Sequence, residues 1–293
     1  CMKKNIKKLI FSVEGMRNVY WDQSPCTIGC EVSIPFKFDG DQPLCIISHG
    51  SGGLGNDTEH FVSALNDSGI ATLCVDSFTG RNMTNINWNE LGGYVSPRAR
   101  AYETVEAFKF LQENHESLFA GVDLSKVACV GFSWGADSIA QVFAHYDGVL
   151  PAETFYALCY GNLWPFEPEY YNARDRDVTL YHGADDNWTS PERGKTFAKE
   201  THSEFVEFFG CTHGFCKPGY DEEIAEQVIV NYHAEFPVPT KLKDAFAYIQ
   251  KGMIWKDTKW KRVDATITFD PMATQRIVSD IVRKLKREPD ANL

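Results

Sequence analysis

The chain has 293 residues, 43% of them hydrophobic and 24% charged, with a formal net charge of −11. Length and apolar share suffice for a large buried core and argue against disorder, and the negative charge argues against phosphate backbones as partners. No apolar run approaches the roughly 20 residues that span a membrane, so neither nucleic acid nor membrane is an expected partner.

At the start, Lys3, Lys4, Lys7 and Lys8 lead into Leu9-Ile10-Phe11 in the manner of a secretory leader. Glu14 and Arg17 cut that apolar run short, so residues 1–30 read as an N-terminal segment and the location as cytoplasmic. Beyond it, 31–293 reads as a single domain. Short apolar runs bounded by turn residues lie at 43–48, 71–75, 126–130, 154–159, 178–181 and 205–209, the pattern of strands covered on both faces. Helical patterns fill the gaps at 60–68, after Ser96-Pro97, at 134–145, after Ser190-Pro191 and after Asp270-Pro271. At 96–97, 190–191 and 270–271 a short polar residue stands at the N-cap and proline at the first helical position. Strand alternating with helix predicts an α/β fold with a mostly parallel sheet and helices on both sides. In such sheets the chemistry gathers at the carboxyl ends of the strands. Residues 217–263 break the alternation and read either as an insertion that covers the site or as a surface excursion.

Nine cysteines are present. Cys45, Cys74 and Cys129 sit in apolar runs and read as buried thiols. Cys26/Cys30 and Cys211/Cys216 are close pairs, but neither has CxxC spacing, so no metal site is expected and disulfides are not favoured.

The strongest chemical signal is Gly131-Phe132-Ser133-Trp134-Gly135, directly between a strand-like and a helix-like run. A serine on such an elbow is lifted above the sheet edge, and its flanking glycines avoid clashes in the sharp turn. The alternative reading is a plain glycine-bounded turn. A serine nucleophile needs a base, and the base an orienting acid, in the chain order Ser, Asp, His. Asp186, with Asp185 as its neighbour and rival, follows the run at 178–181; His213 follows the run at 205–209. His182 stands ahead of the acid and is out of order, and His202 and His233 are poorly placed. Upstream, His49-Gly50-Ser51-Gly52-Gly53 is a Gly-rich loop after a strand. It suits one backbone donor of an oxyanion hole, Ser51 first and Gly52 second; the Trp134 N–H supplies the other. Trp134, Trp164, Phe166 and Trp188 are candidates for lining an acyl pocket.

In order along the chain, SHGSGG at 48–53, VDSFTGR at 75–81, GFSWG at 131–135, HGADDNWTSPE at 182–192, THGF at 212–215 and FDPMA at 269–273 resemble the dienelactone hydrolase family of α/β hydrolases. The resemblance implies an α/β-hydrolase fold and a triad of Ser133, Asp186 and His213. It prefers Asp186 to Asp185, because the family's acid lies three residues after the glycine, here Gly183. Two departures matter. The family's founders use a cysteine nucleophile where this chain has Ser133. Of the two arginines with which the family holds a lactone carboxylate, Arg81 matches the first, while Lys217 stands in the second place. Arg81 reads either as substrate-binding or as a structural arginine paired with Asp76. Together these residues predict a serine hydrolase of small carboxylic esters that needs no cofactor or metal, with self-association left open. The alternatives are a lactone hydrolase or thioesterase with the same triad, or a non-catalytic binding module on this fold.

Overall fold

The computed structural model describes residues 6–18, 22–36, 38–85, 95–163, 168–220, 223–231 and 260–287. Trp164, Phe166, His233 and the middle of the expected insertion lie outside these residues. Eight strands form one sheet: β1 (Ile6–Asn18), β2 (Asp22–Pro35), β3 (Gln42–Ser48), β4 (Ala71–Asp76), β5 (Val122–Phe132), β6 (Phe155–Cys159), β7 (Asp177–Gly183) and β8 (Glu204–Phe208). Their spatial order is β1-β2-β4-β3-β5-β6-β7-β8. β2 runs antiparallel to both of its neighbours, and the strands from β4 to β8 are parallel.

Among the described residues five α-helices cover the sheet: α1 (Asn56–Asp67), α2 (Pro97–Glu113), α3 (Trp134–His145), α4 (Pro191–Thr201) and α5 (Pro271–Lys286). The alternation of side chains along a strand divides the core in two. Leu44, Ile46, Val127, Cys129, Tyr156 and Leu158 face α2, α3 and α4, where Phe108, Ile139, Phe143 and Phe197 meet them. Their neighbours Cys45, Ile47, Ala128, Val130, Phe155 and Ala157 face α1 and α5, packing on Phe61, Leu65, Ile277 and Ile281. With both faces covered, successive positions such as 44–47 of β3 and 127–130 of β5 are all apolar, hence the unbroken runs in the sequence. Ser96 and Asp270 cap α2 and α5 through their side chains, accepting from the Ala99 and Ala273 N–H at 3.1 and 2.8 Å.

The expected boundary at residue 31 is corrected. Residues 6–30 are not a separate segment but supply β1 and most of β2. Ile28, Cys30, Val32 and Ile34 point inward at period two and are buried, and Phe11 of β1 stacks on Phe110 of α2 with centroids 4.5 Å apart. On β1, Lys8, Ser12 and Glu14 lie on the exposed face, while Lys7 shares the inner face with Leu9, Phe11 and Val13 and reaches the Leu118 carbonyl at 3.0 Å. Cys30, Cys45, Cys74, Cys129, Cys159, Cys211 and Cys216 form no disulfide, and Cys45, Cys74 and Cys129 are buried. Within 217–263, β9 (Glu223–Asn231) pairs antiparallel with β10 (Trp260–Ile267) in a separate two-stranded ribbon. Among the described residues no helix is long and apolar enough to cross a membrane.

Candidate functional site

The carboxyl ends of β3, β5, β7 and β8 bring the predicted residues to one place. Ser133 sits between β5 and α3 with φ 51° and ψ −117°, a backbone conformation that costs a non-glycine residue about 1–3 kcal/mol. The turn is held by its neighbours: the Ser133 N–H donates to the Cys159 carbonyl at 2.9 Å. Gly135 is required by close approach, because a Cβ there would stand 2.1 Å from the Ser48 carbonyl oxygen. The start of α3 is therefore pressed against the end of β3, and the loop that follows passes the nucleophile. A Cβ on Gly50 would lie 3.8 Å from Ser133 Cβ.

His213 follows β8 and reaches back across the sheet. Its Nε2 is 3.0 Å from Ser133 Oγ, and its Nδ1 is 2.9 Å from Asp186 Oδ2. The carboxylate can only accept, so Nδ1 carries the proton and Nε2 is left to accept from the serine hydroxyl. Asp186 is buried, whereas Asp185 is exposed. Oδ1 of Asp186 accepts the Trp188 and Thr189 N–H at 2.9 and 2.8 Å, and Thr189 Oγ1 donates to Oδ2 at 2.8 Å. Burial alone pushes this carboxyl up, but the charge and hydrogen bonds of His213 and His182 more than offset it and hold the group well below the usual carboxylate range.

Four residues outside the predicted set support this chain of bonds. His182 was out of order as a base, yet its Nε2 lies 2.8 Å from the Thr189 carbonyl and 3.3 Å from Asp186 Oδ2. The same Thr189 hydroxyl also faces the Tyr160 carbonyl at 3.1 Å, so its single proton is shared between the acid and the chain just after β6. Tyr160, held at φ 41°, presents its ring to the His213 imidazole edge-on at 5.1 Å. Asn187 accepts from the Thr266 N–H at 3.1 Å and donates to the Asp264 carbonyl, docking β10 on the acid loop. Of these, His182 alone carried a sequence signal, standing four residues before the acid on a strand end.

The Trp188 ring packs on the His213 imidazole with centroids 4.7 Å apart, so it shields the base. Trp134 opens α3, which places its N–H among those at the helix start that no turn of the helix can satisfy. Its indole N–H donates to the Val95 carbonyl at 2.9 Å and fixes the ring beside Phe78 and Ala99. Ser51 and Gly52 lie in the turn after Gly50, and it is Gly50 that stands against Ser133.

Of the two readings of Arg81 the structural one fits its contacts, with Glu103 in place of Asp76 as the partner. The Arg81 guanidinium is buried: it pairs with Glu103 of α2 and donates to the carbonyls of Ser77 at 2.6 Å, Arg17 at 3.3 Å and Met16. Asp76 is not its partner, but accepts the Phe78 and Thr79 N–H, each at 3.0 Å, to close the turn after β4. With four acceptors around one guanidinium, Arg81 staples β1 to α2 rather than facing a ligand. Burial pushes the neighbouring Arg100 down to about 10, still cationic at neutral pH, so Glu103 serves two buried cations. Glu103→Ala is accordingly expected to cost about 3–5 kcal/mol of stability, read as a fall in the urea midpoint. A loss below about 1 kcal/mol, the level of a surface ion pair, contradicts this role. Lys217 places its ammonium over the Tyr220 ring at 4.4 Å and favours the charged form of buried Asp57. Among the described residues no cluster of three or more metal-ligating side chains is found.

Neither family models nor curated proteins give a match to the sequence. Solved structures do. A dienelactone hydrolase-like promiscuous phosphotriesterase from metagenomic libraries is 16% identical over 96% of this chain and 98% of its own, with a TM-score of 0.55. A carboxyl esterase from the mycorrhizal fungus Tuber melanosporum is 15% identical over 74% of this chain and 80% of its own, with a TM-score of 0.52. A cold-adapted esterase from an Arctic intertidal metagenomic library is 16% identical over 73% and 88%, with a TM-score of 0.51. These likenesses, with the strand order above, show the α/β-hydrolase fold.

Proposed function

We propose that this protein is a serine hydrolase that cleaves carboxylic esters through an acyl-enzyme. The observation that carries the reading is the unbroken chain Ser133 Oγ, His213, Asp186, with bonds of 3.0 and 2.9 Å, at the tip of a strained elbow. The esterase neighbours on the same fold support it. His213 Nε2 takes the proton as Ser133 Oγ attacks the ester carbonyl, and Asp186 holds the imidazole by Nδ1 and stabilises the imidazolium. The Trp134 and Ser51 N–H groups receive the oxyanion. His213 then protonates the departing alcohol, and water activated by the same nitrogen releases the acid and frees Ser133. The test is hydrolysis of p-nitrophenyl esters of graded chain length, with fluorophosphonate labelling mapped by mass spectrometry. Turnover with a single label on Ser133 supports the proposal. Absence of both turnover and label leaves a non-catalytic module on this fold.

The acyl group is expected to be uncharged. Arg81 is committed to Glu103, and the Lys217 ammonium lies over the Tyr220 ring, so the two cations at the family's carboxylate-binding places are both engaged. A net charge of −11 adds long-range repulsion of anions. An ester with a free carboxylate on its acyl chain, such as p-nitrophenyl hydrogen succinate, is therefore expected to show kcat/KM lower on the order of tenfold or more than p-nitrophenyl butyrate, since a carboxylate desolvated without a partner is costly. Equal values for the two esters exclude a neutral-substrate preference.

A further inference from the structure

His49, at the carboxyl end of β3, is fully buried, its ring edge-on to Phe78 at 4.5 Å. Its two nitrogens meet opposite kinds of partner. Nδ1 is 2.7 Å from the Gly50 carbonyl oxygen, which can only accept; Nε2 is 3.2 Å from the Ser77 N–H, which can only donate. One form of imidazole satisfies both, the neutral ring protonated at Nδ1. Burial, helped by the nearby Arg100 guanidinium, pushes the group down to about 3, so this form holds at neutral pH.

The consequence lies in the next peptide. A trans peptide sets its C=O and N–H in opposite directions within one plane. The Gly50 carbonyl is turned toward the His49 ring, and also accepts the Gly53 N–H at 3.3 Å. The Ser51 N–H in the same plane therefore points away from His49. The preceding peptide is fixed from α2, where Arg100 donates through one nitrogen to the His49 carbonyl and to Ser48 Oγ, the latter at 3.1 Å. Both peptides stand against the nucleophile elbow, since the position of a Gly50 Cβ is 3.8 Å from Ser133 Cβ.

We infer that His49 is a positioning residue for the oxyanion hole: its Nδ1–H holds the Gly50 carbonyl inward and thereby aims the Ser51 N–H at the oxyanion formed on Ser133 attack. The inference rests on the serine-hydrolase reading above. His49 itself touches no reacting atom; it acts through the peptide it turns.

Two variants separate this role from a merely structural one. The amide nitrogen of asparagine falls near the place of Nδ1, so His49→Asn keeps the donor to Gly50 and loses the acceptor for Ser77. Glutamine reaches the place of Nε2, so His49→Gln can keep the contact with Ser77 and loses the donor to Gly50. Each gives up one buried hydrogen bond, so a structural role moves both alike. One oxyanion donor is worth ~10²–10³ in rate. On p-nitrophenyl butyrate, His49→Gln is therefore expected to lose about 100-fold in kcat with KM changed by less than about threefold, and His49→Asn to stay within about tenfold of wild type. Urea midpoints show that both variants are folded. A folded His49→Gln with kcat near wild type, or a folded His49→Asn as slow as His49→Gln, overturns the positioning role alone. Wild type that neither turns over the ester nor takes a fluorophosphonate label overturns the serine-hydrolase reading, and this inference with it.

Discussion

Ser133→Ala is expected to lower kcat for an ester substrate by about 10⁶-fold, while the folded state is retained. The size of the effect follows from the step removed. Without Oγ no acyl-enzyme forms, and His213, 3.0 Å from that oxygen in the native site, has no proton to take. What remains is water attack at a carbonyl still polarised by backbone N–H groups, a residual of about 10³–10⁴ over the uncatalysed rate. The fold survives because alanine keeps the backbone contacts of the turn, the Ser133 N–H to the Cys159 carbonyl among them. Ser133→Gly sharpens the case. At φ 51° the elbow strains any residue with a Cβ, and glycine relieves that strain. The glycine variant is thus expected to be as inactive as the alanine variant, yet more stable than wild type by up to about 1 kcal/mol. Ester turnover and urea midpoints on the two variants measure both. Ester hydrolysis by Ser133→Ala at more than about one hundredth of the wild-type rate rules out Ser133 as nucleophile.

The site could be read from the sequence where its chemistry is local. Ser133 and its glycines stand within five residues, between a strand-like and a helix-like run, and the elbow requires that neighbourhood. His213 and the Asp185-Asp186 pair follow later strand-like runs, so strand order alone places them at the same sheet edge. Contacts made across the fold were less legible. Arg81 was offered Asp76, close in sequence, but its partner is Glu103 in α2, which the helical period turns inward. β1 and β2 carry a period-two pattern at Ile28, Cys30, Val32 and Ile34, but the lysines of the outer edge suggested a detached segment instead. His182 was excluded by chain order, a rule that locates a base and is silent about residues that hold the acid. No sequence rule turns a peptide plane, so the bond from His49 to its own neighbour was visible only in the structure.

Asp186→Asn is expected to lower kcat by about 10⁴-fold, and Asp185→Asn by less than about threefold. The two carboxylates are adjacent in the chain and differ in surroundings. Asp185 is exposed, and its backbone N–H, not its side chain, ties the loop to the Cys211 carbonyl at 3.0 Å. Asp186 is enclosed, with Trp188 and Thr189 N–H groups on Oδ1 and His213, Thr189 and His182 around Oδ2. In Asp186→Asn the amide oxygen takes the two backbone N–H groups, so the amide NH₂ falls where Oδ2 was. His213 Nδ1 must then accept rather than donate, which moves its proton to Nε2 and leaves Ser133 without a base. His182 resists the same change, because its Nε2 must stay protonated to serve the Thr189 carbonyl at 2.8 Å. That donor now faces another donor, and the variant is expected to be less stable by about 1–3 kcal/mol. Loss of activity and loss of stability thus have separate causes on the two sides of one amide. Replacing His182 as well, in Asp186→Asn with His182→Phe, removes the clash between donors but not the wrong tautomer. Stability is expected to recover in part and kcat not at all. Recovery of kcat in the double variant, or a large loss in Asp185→Asn, would give the orienting role to a different group.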